Sequence, residues 1–219
     1  MSNYTVKVET LPRIVVFLDM DGVLNNKRFF NESGVAKNGL YPPGNAPQMT
    51  VDNAAVMMLK SWVEENNGFI VVSSSWRSNT MNAGEWKNEK SNNFQVWNAL
   101  RWAGWSDVES RLIGNTGRLW GKKRGAEVDD WIQKNGCIID KECCFVILDD
   151  LADFNVKQKK SFLVKTDSET GLSRDDISRM DDCIRGQRET LASEATGISE
   201  VEGLKNSTPI KKMRGGCGN

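Results

Sequence analysis

The chain contains no histidine in its 219 residues. That absence excludes Ser-His-Asp and Cys-His catalysis, His-ligated zinc, and histidine as a general base. Acid–base chemistry therefore has to run on carboxylates, and a bound metal has to be held by oxygen. The five cysteines, Cys137, Cys143, Cys144, Cys183 and Cys217, are odd in number and show no paired CxxC spacing, so neither a disulfide framework nor a zinc knuckle is expected. No apolar run is long enough to span a bilayer, and the first residues, MSNYTVKVET, lack the apolar stretch of a secretion signal. A cytoplasmic protein without a membrane partner is the expectation. Lys and Arg together number 29 and so do Asp and Glu, so no overall charge announces a polyanionic partner, and any asymmetry must be local.

What is present is a rhythm of short apolar runs and amphipathic stretches. Ile14 to Leu18, Phe69 to Val72, Phe145 to Leu148 and Phe162 to Val164 are apolar throughout and rich in β-branched residues, as in strands buried on both faces. A helix is expected over about 51–66, with Ala55, Met58, Leu59, Trp62 and Val63 on one face and Asn67-Gly68 closing it. Another is expected over about 124–134, with Val128, Trp131 and Ile132 on one stripe. Alternating strand and helix predicts an α/β fold with a parallel sheet. Residues about 25–50 read as a loop, about 78–121 as a polar, tryptophan-rich insert or lid, and about 196–219 as a flexible tail following a domain over 1–195.

Two of the strands end in acids. The first runs into Asp19-Met20-Asp21-Gly22, the third into Asp149-Asp150. Ligands of such sheets bind beyond the carboxyl ends of the strands, so these side chains are expected to face one crevice. Asp19's carboxylate and Asp21's main-chain carbonyl can share a hard cation there, Gly22 lets the backbone curl away, and Asp21's side chain stays available for proton transfer. Each pair has a plainer reading, as a strand-ending turn or a helix cap. Together they crowd like charges, which calls for a neutralising cation such as Mg²⁺.

The second strand runs into Ser73-Ser74-Ser75-Trp76-Arg77. Ser73, or Ser74 if the register slips by one, can donate to a phosphoryl oxygen, and Arg77 can fork onto a phosphate. A polar turn that satisfies its own backbone is the alternative. Lys122, Lys123 and Arg124 stand at a helix start, where a lysine can pair with Asp19 and a phosphate; Lys123 is the choice, and a solvated basic turn the alternative for each.

Asp-x-Asp, then serine, then lysine, then a late acid pair, in that order, resembles the haloacid-dehalogenase (HAD) superfamily over roughly residues 13–180. The resemblance implies a Rossmann-like fold with a central parallel sheet flanked by helices and a small insert or lid. It implies Asp19 as nucleophile, Asp21 as acid and base, Asp149 and Asp150 as late metal ligands, and Mg²⁺ as cofactor. Members that cleave carbon–halogen bonds lack the second acid of the first motif, whereas phosphate-transferring members have it. The strings SSSWR, KRGAEVDDWI, FVILDD and VKTDSETGL are similar to the HAD domains of viral and bacterial RNA-repair proteins, which remove terminal phosphates from polynucleotides. The expected activity is hydrolysis of a phosphate ester through an aspartyl-phosphate, with a phosphorylated small molecule or nucleic-acid end as partner. A HAD-fold binding protein and a phosphotransferase to an acceptor other than water are the rivals.

Seven of the eight tryptophans lie between residues 76 and 131, among Arg77, Lys87, Lys90, Arg101, Arg111 and Arg118. Aromatic faces beside cations can stack bases and follow a phosphate backbone. For any single tryptophan, burial in a core is the competing expectation.

Overall fold

The computed structural model describes residues 13–32, 51–76, 92–136, 139–140 and 142–205. Five strands, β1 (Ile14–Leu18), β2 (Phe69–Val72), β3 (Leu112–Asn115), β4 (Cys144–Asp149) and β5 (Leu163–Lys165), form one sheet in the order β3-β2-β1-β4-β5. Every pairing is parallel. Six helices connect them: α1 (Lys27–Glu32), α2 (Asn53–Glu65), α3 (Asn92–Trp102), α4 (Arg124–Asn135), α5 (Val156–Ser161) and α6 (Arg174–Lys205). This is the α/β, Rossmann-like architecture expected from the sequence, a central parallel sheet with helices packed against it.

Because β1 is central, its five residues are all buried, and successive side chains go to opposite faces. Val16 and Leu18, with Ile70, Val72, Val146 and Leu148, join Leu59, Trp62 and Val63 of α2 and Met180 and Ile184 of α6. Val15 and Phe17, with Val71 and Ile147, join Val128 and Trp131 of α4. Phe17 meets Trp131 edge to face at 5.4 Å between ring centroids. Each such side chain withdrawn from water contributes roughly 1.5–3 kcal/mol before conformational entropy is subtracted. Asp52 caps α2, its side chain accepting from the Ala54 N–H at 2.8 Å. At the other end Asn67 takes a positive φ of 47° and Gly68 N–H bonds back to the Val63 carbonyl at 2.7 Å, the closure expected from the sequence.

The structure departs from expectation in two places. Of the stretch expected as an insert, residues 92–121 carry α3 and the edge strand β3. Leu100, Trp105, Val108 and Leu112 are buried in the same core as β1 and α2. Burial of these side chains ties the segment to the main layers, which leaves 78–91, outside the described residues, as the remainder of the expected lid. Near residue 195, where a tail was expected, α6 continues through Lys205. Its start is fixed by Ser173 and Asp176, which cap each other's backbone N–H groups, and Ile177, Met180, Ile184 and Leu191 face the core at helical spacing. Among the described residues no helix is long and apolar enough to cross a membrane.

Chain order explains where a site must form. From β1 the chain moves outward to β2 and β3, then returns to the other side of β1 for β4 and β5. Connections therefore diverge between β1 and β4, opening a crevice beyond their carboxyl ends.

Candidate active site

The strand pairing carries on just past the strands and thereby fixes the first residues of the crevice. Asp19 N–H bonds to the Leu148 carbonyl at 2.9 Å, and Ser73 N–H to the Leu18 carbonyl at 2.8 Å. After Asp19 the chain turns tightly, with Val23, Leu24 and Asn25 N–H groups all directed to the Met20 carbonyl. Gly22 enables that turn with a φ of +73°, and a Cβ at this position would stand 2.4 Å from the Asp150 carboxylate.

Asp19 is 3% exposed and Asp149 is 1% exposed. One cation lies between them. Arg124 Nη1 donates to Asp19 Oδ2, to Asp149 Oδ2 at 2.8 Å and to the Ser73 carbonyl at 2.8 Å. The remaining oxygens are held by the backbone, Asp19 Oδ1 by Met20 N–H at 2.7 Å and Asp149 Oδ1 by Leu151 N–H at 2.8 Å. Burial nevertheless pushes the Asp19 carboxyl above its ordinary value, against the pull of Arg124 and of a hydrogen bond from the Ser74 side chain. Burial pushes Asp149 up to about 7, with Arg124 opposing and Asp19 adding repulsion. Asp150 is raised too, first by burial and further by Asp21.

Arg124 reaches this position through the loop that follows β4. Gly125 N–H bonds to the Asp153 carbonyl at 3.2 Å, and buried Gln158 donates to the Gly125 carbonyl and to Asp129, each at 2.8 Å. Gln158 also completes a reciprocal cap with Asn155 at the start of α5. The first turn of α4 is thus locked to the element that begins just after the late acid pair, and its N–H groups add positive potential to the crevice.

Asp21 is held differently, at the crevice mouth. Its Oδ1 accepts from the Trp76 indole N–H and from Asn25 Nδ2, both at 2.9 Å, and its Oδ2 from Ser75 Oγ at 3.3 Å. Three donors thus fix this partly exposed carboxylate in place.

Asp19, Asp149 and Asp150 each offer one oxygen, and these oxygens lie within 4.8 Å of one another. A donor set of carboxylates alone suits a hard divalent cation such as Mg²⁺. The residues present therefore fit the metal that the fold implies.

Of the residues expected from the sequence, Asp19, Asp149 and Asp150 come together, and Asp21 stands beside them. Ser74 is the serine bonded to Asp19. Ser73 Oγ is buried with no hydrogen-bond partner among the described residues. Lys123 is displaced from its expected role: its side chain is 76% exposed and pairs with Asp153 at 3.2 Å. The position expected of a lysine is filled by the next residue, Arg124, because α4 begins there and its first side chain turns inward. Lys122 lines the neighbouring cleft, and Arg77 lies outside the described residues. Trp76 and Asn25, the partners of Asp21, were not singled out for that role; their nearness in sequence to SSS and to DMDG was the available signal.

The profile of the HAD domain in Swiss Army Knife RNA repair proteins matches residues 15–177. The chain belongs to this family. No curated protein and no solved structure matches it. Phosphohydrolase-type activity is what a HAD domain implies, and the clustered aspartates are compatible with a HAD metal site. The matched span opens one residue into β1 and closes at the first turn of α6, so it takes in every residue of the acid cluster together with Arg124 and Asp21.

Proposed function

We propose that this HAD domain is a Mg²⁺-dependent phosphomonoesterase that works through an aspartyl-phosphate on Asp19 and acts on the terminal phosphate of a nucleotide or polynucleotide. The observation that carries the reading is the pairing of an acid cluster, buried Asp19 and Asp149 with partly exposed Asp150, with a separately held acid, Asp21, at its mouth. Asp19, Asp149 and Asp150, joined by the Asp21 main-chain carbonyl, would hold the metal, which when bound offsets the charge on the phosphoryl oxygens.

The chain's own side chains supply the rest. Asp19, oriented by Met20 N–H and by Arg124, is the nucleophile: a carboxylate oxygen bonds to phosphorus as the bond to the ester oxygen breaks. Asp21 gives its proton to that leaving oxygen. It then takes one from water, whose oxygen attacks phosphorus and frees Asp19 with release of inorganic phosphate. Arg124 and the Ser73–Ser74 turn face the transferring group with positive charge and donors.

Release of phosphate from mononucleotides, 3′- and 5′-phosphorylated oligonucleotides and sugar phosphates tests the reading. Asp19→Asn is expected to lower turnover at least about a thousandfold with the fold retained, and chelation by EDTA to stop it until Mg²⁺ is restored. Unchanged release by Asp19→Asn, or full activity in chelator, overturns the scheme.

A further inference from the structure

Beside the acid cluster a cleft of about 300 Å³ opens, with Ser74 and Arg124 on its inner wall and Arg118, Trp120, Lys122 and Leu151 on its outer one. The geometry points to this cleft as the subsite for the nucleoside that bears the scissile phosphate, with Trp120 as the platform on which its unpaired base stacks. This rests on the phosphoesterase reading above and names the part of the substrate that the crevice itself does not touch.

Trp120 is 78% exposed, far more than the other large apolar side chains near the crevice. A large aromatic exposed at the rim of a cleft offers a flat apolar face to a ligand from solution. The loop that carries it is nonetheless pinned. Leu119 N–H donates to Glu127 Oε1 at 3.0 Å, and Glu127, on the inner side of α4, is 5% exposed. Lys122 N–H closes a turn onto the Leu119 carbonyl at 3.0 Å, and Gly121 supplies the φ of +70° that the turn needs. Anchors on either side of Trp120 hold the indole in place before any ligand arrives, which lowers the entropy lost on binding.

The indole is also aimed. Arg118 Cζ lies 4.4 Å from its ring centroid, covering one face and leaving the exposed area on the remainder of the ring. Stacking on such a ring is tolerant of sequence, because every base has a π-face. The acids near the cleft are engaged elsewhere, Glu127 on the Leu119 N–H and Asp153 on Lys123. Lys122, exposed on the outer wall, brings a positive charge to the cleft and is placed to meet the next phosphodiester of a strand. A volume of about 300 Å³ lies at the small end of ligand sites and suits one nucleoside. At its inner wall stands Arg124, bonded to Asp19, so a phosphate held there has its phosphorus beside the attacking carboxylate.

Binding in chelator tests this without turnover. A fluorescently labelled, 3′-phosphorylated single-stranded oligonucleotide is titrated by anisotropy against the full chain carrying Asp19→Asn, alone and combined with Trp120→Ala, Trp120→Phe, Lys122→Ala or Trp102→Ala. Trp120→Ala is expected to raise Kd about tenfold and Trp120→Phe to recover most of the loss; Trp102→Ala, on the exposed side of α3, serves as the control and leaves Kd unchanged. A 3′-mononucleotide competitor separates sources: weakening by Lys122→Ala for the oligonucleotide alone identifies a strand end, and equal weakening identifies a free nucleotide. No measurable binding, or a Kd indifferent to Trp120→Ala, overturns the subsite. Trp120-dependent binding in a protein that releases phosphate from no ester would retain the subsite and remove the phosphoesterase reading; release with Trp120-independent binding does the reverse.

Discussion

The crevice holds two pairs of acids built from the same residue type and handled in opposite ways. The inner pair, Asp19 and Asp149, is withdrawn from water, shares Arg124, and is forced above its ordinary titration range by burial. The outer pair, Asp21 and Asp150, begins the turns that leave the same two strands and stays partly exposed. Asp21 is fixed by the neutral donors Trp76, Asn25 and Ser75. Burial thus sets the inner pair apart from Asp21, which stays in reach of water, while Asp150, partly exposed, still brings an oxygen to the inner pair.

The largest way to break the contrast is to remove the cation that the inner pair shares. Arg124→Ala leaves two buried carboxylates facing each other, and in chelator it is expected to lower unfolding stability by about 3 kcal/mol. It should also cost about a hundredfold or more in turnover. Denaturant midpoint and phosphate release read both effects. An unchanged midpoint in chelator would show that the carboxylates do not depend on the guanidinium.

A smaller perturbation acts on the outer acid alone. Trp76→Phe keeps most of the ring packing and deletes the indole N–H, so kcat toward an alkyl phosphate is expected to fall about tenfold. Loss should be greater for that poor leaving group than for an aryl phosphate that needs little protonation. Equal losses on both esters would make Trp76 a packing residue only.

The mildest test uses pH. The Asp149 carboxyl at about 7 stands above the ordinary 3.8, so the folded chain binds this proton more tightly than the unfolded chain does. Without metal, stability is highest below about pH 4 as far as this group is concerned, and declines as pH rises through about 7. A cation that holds the ionised form offsets the decline, so Mg²⁺ should raise Tm by a few degrees more at pH 8 than at pH 5. An equal shift at both values would dissociate the metal from Asp149.

The central strands and the acids at their ends could be read directly, because continuous apolar runs ending in Asp have few competing interpretations. Edge and surface elements gave weaker signals. Strand β3 is only LIGN, two apolar residues followed by Gly and Asn, too short to stand out in a polar region. Helix α6 hides its apolar stripe among many charged residues, although Ser173 and Asp176 at capping spacing mark its start. The site's cation was missed by one position. Three consecutive basic residues fit a helix start equally well in sequence, and only the phase of α4, set by Gln158 and the Asp153 carbonyl, sends Arg124 inward and Lys123 out to solvent.

Gly22 has a reach beyond its own turn. With a bare α-carbon it leaves room that the Asp150 carboxylate occupies, where even a methyl group would collide at 2.4 Å. The β1 turn thus acts as a template for the end of β4: shape on one strand sets where charge can rest on another. A side chain at this position would disturb the acid cluster through crowding alone, without altering any acid, so the smallest residue in the crevice shapes it by leaving space unfilled.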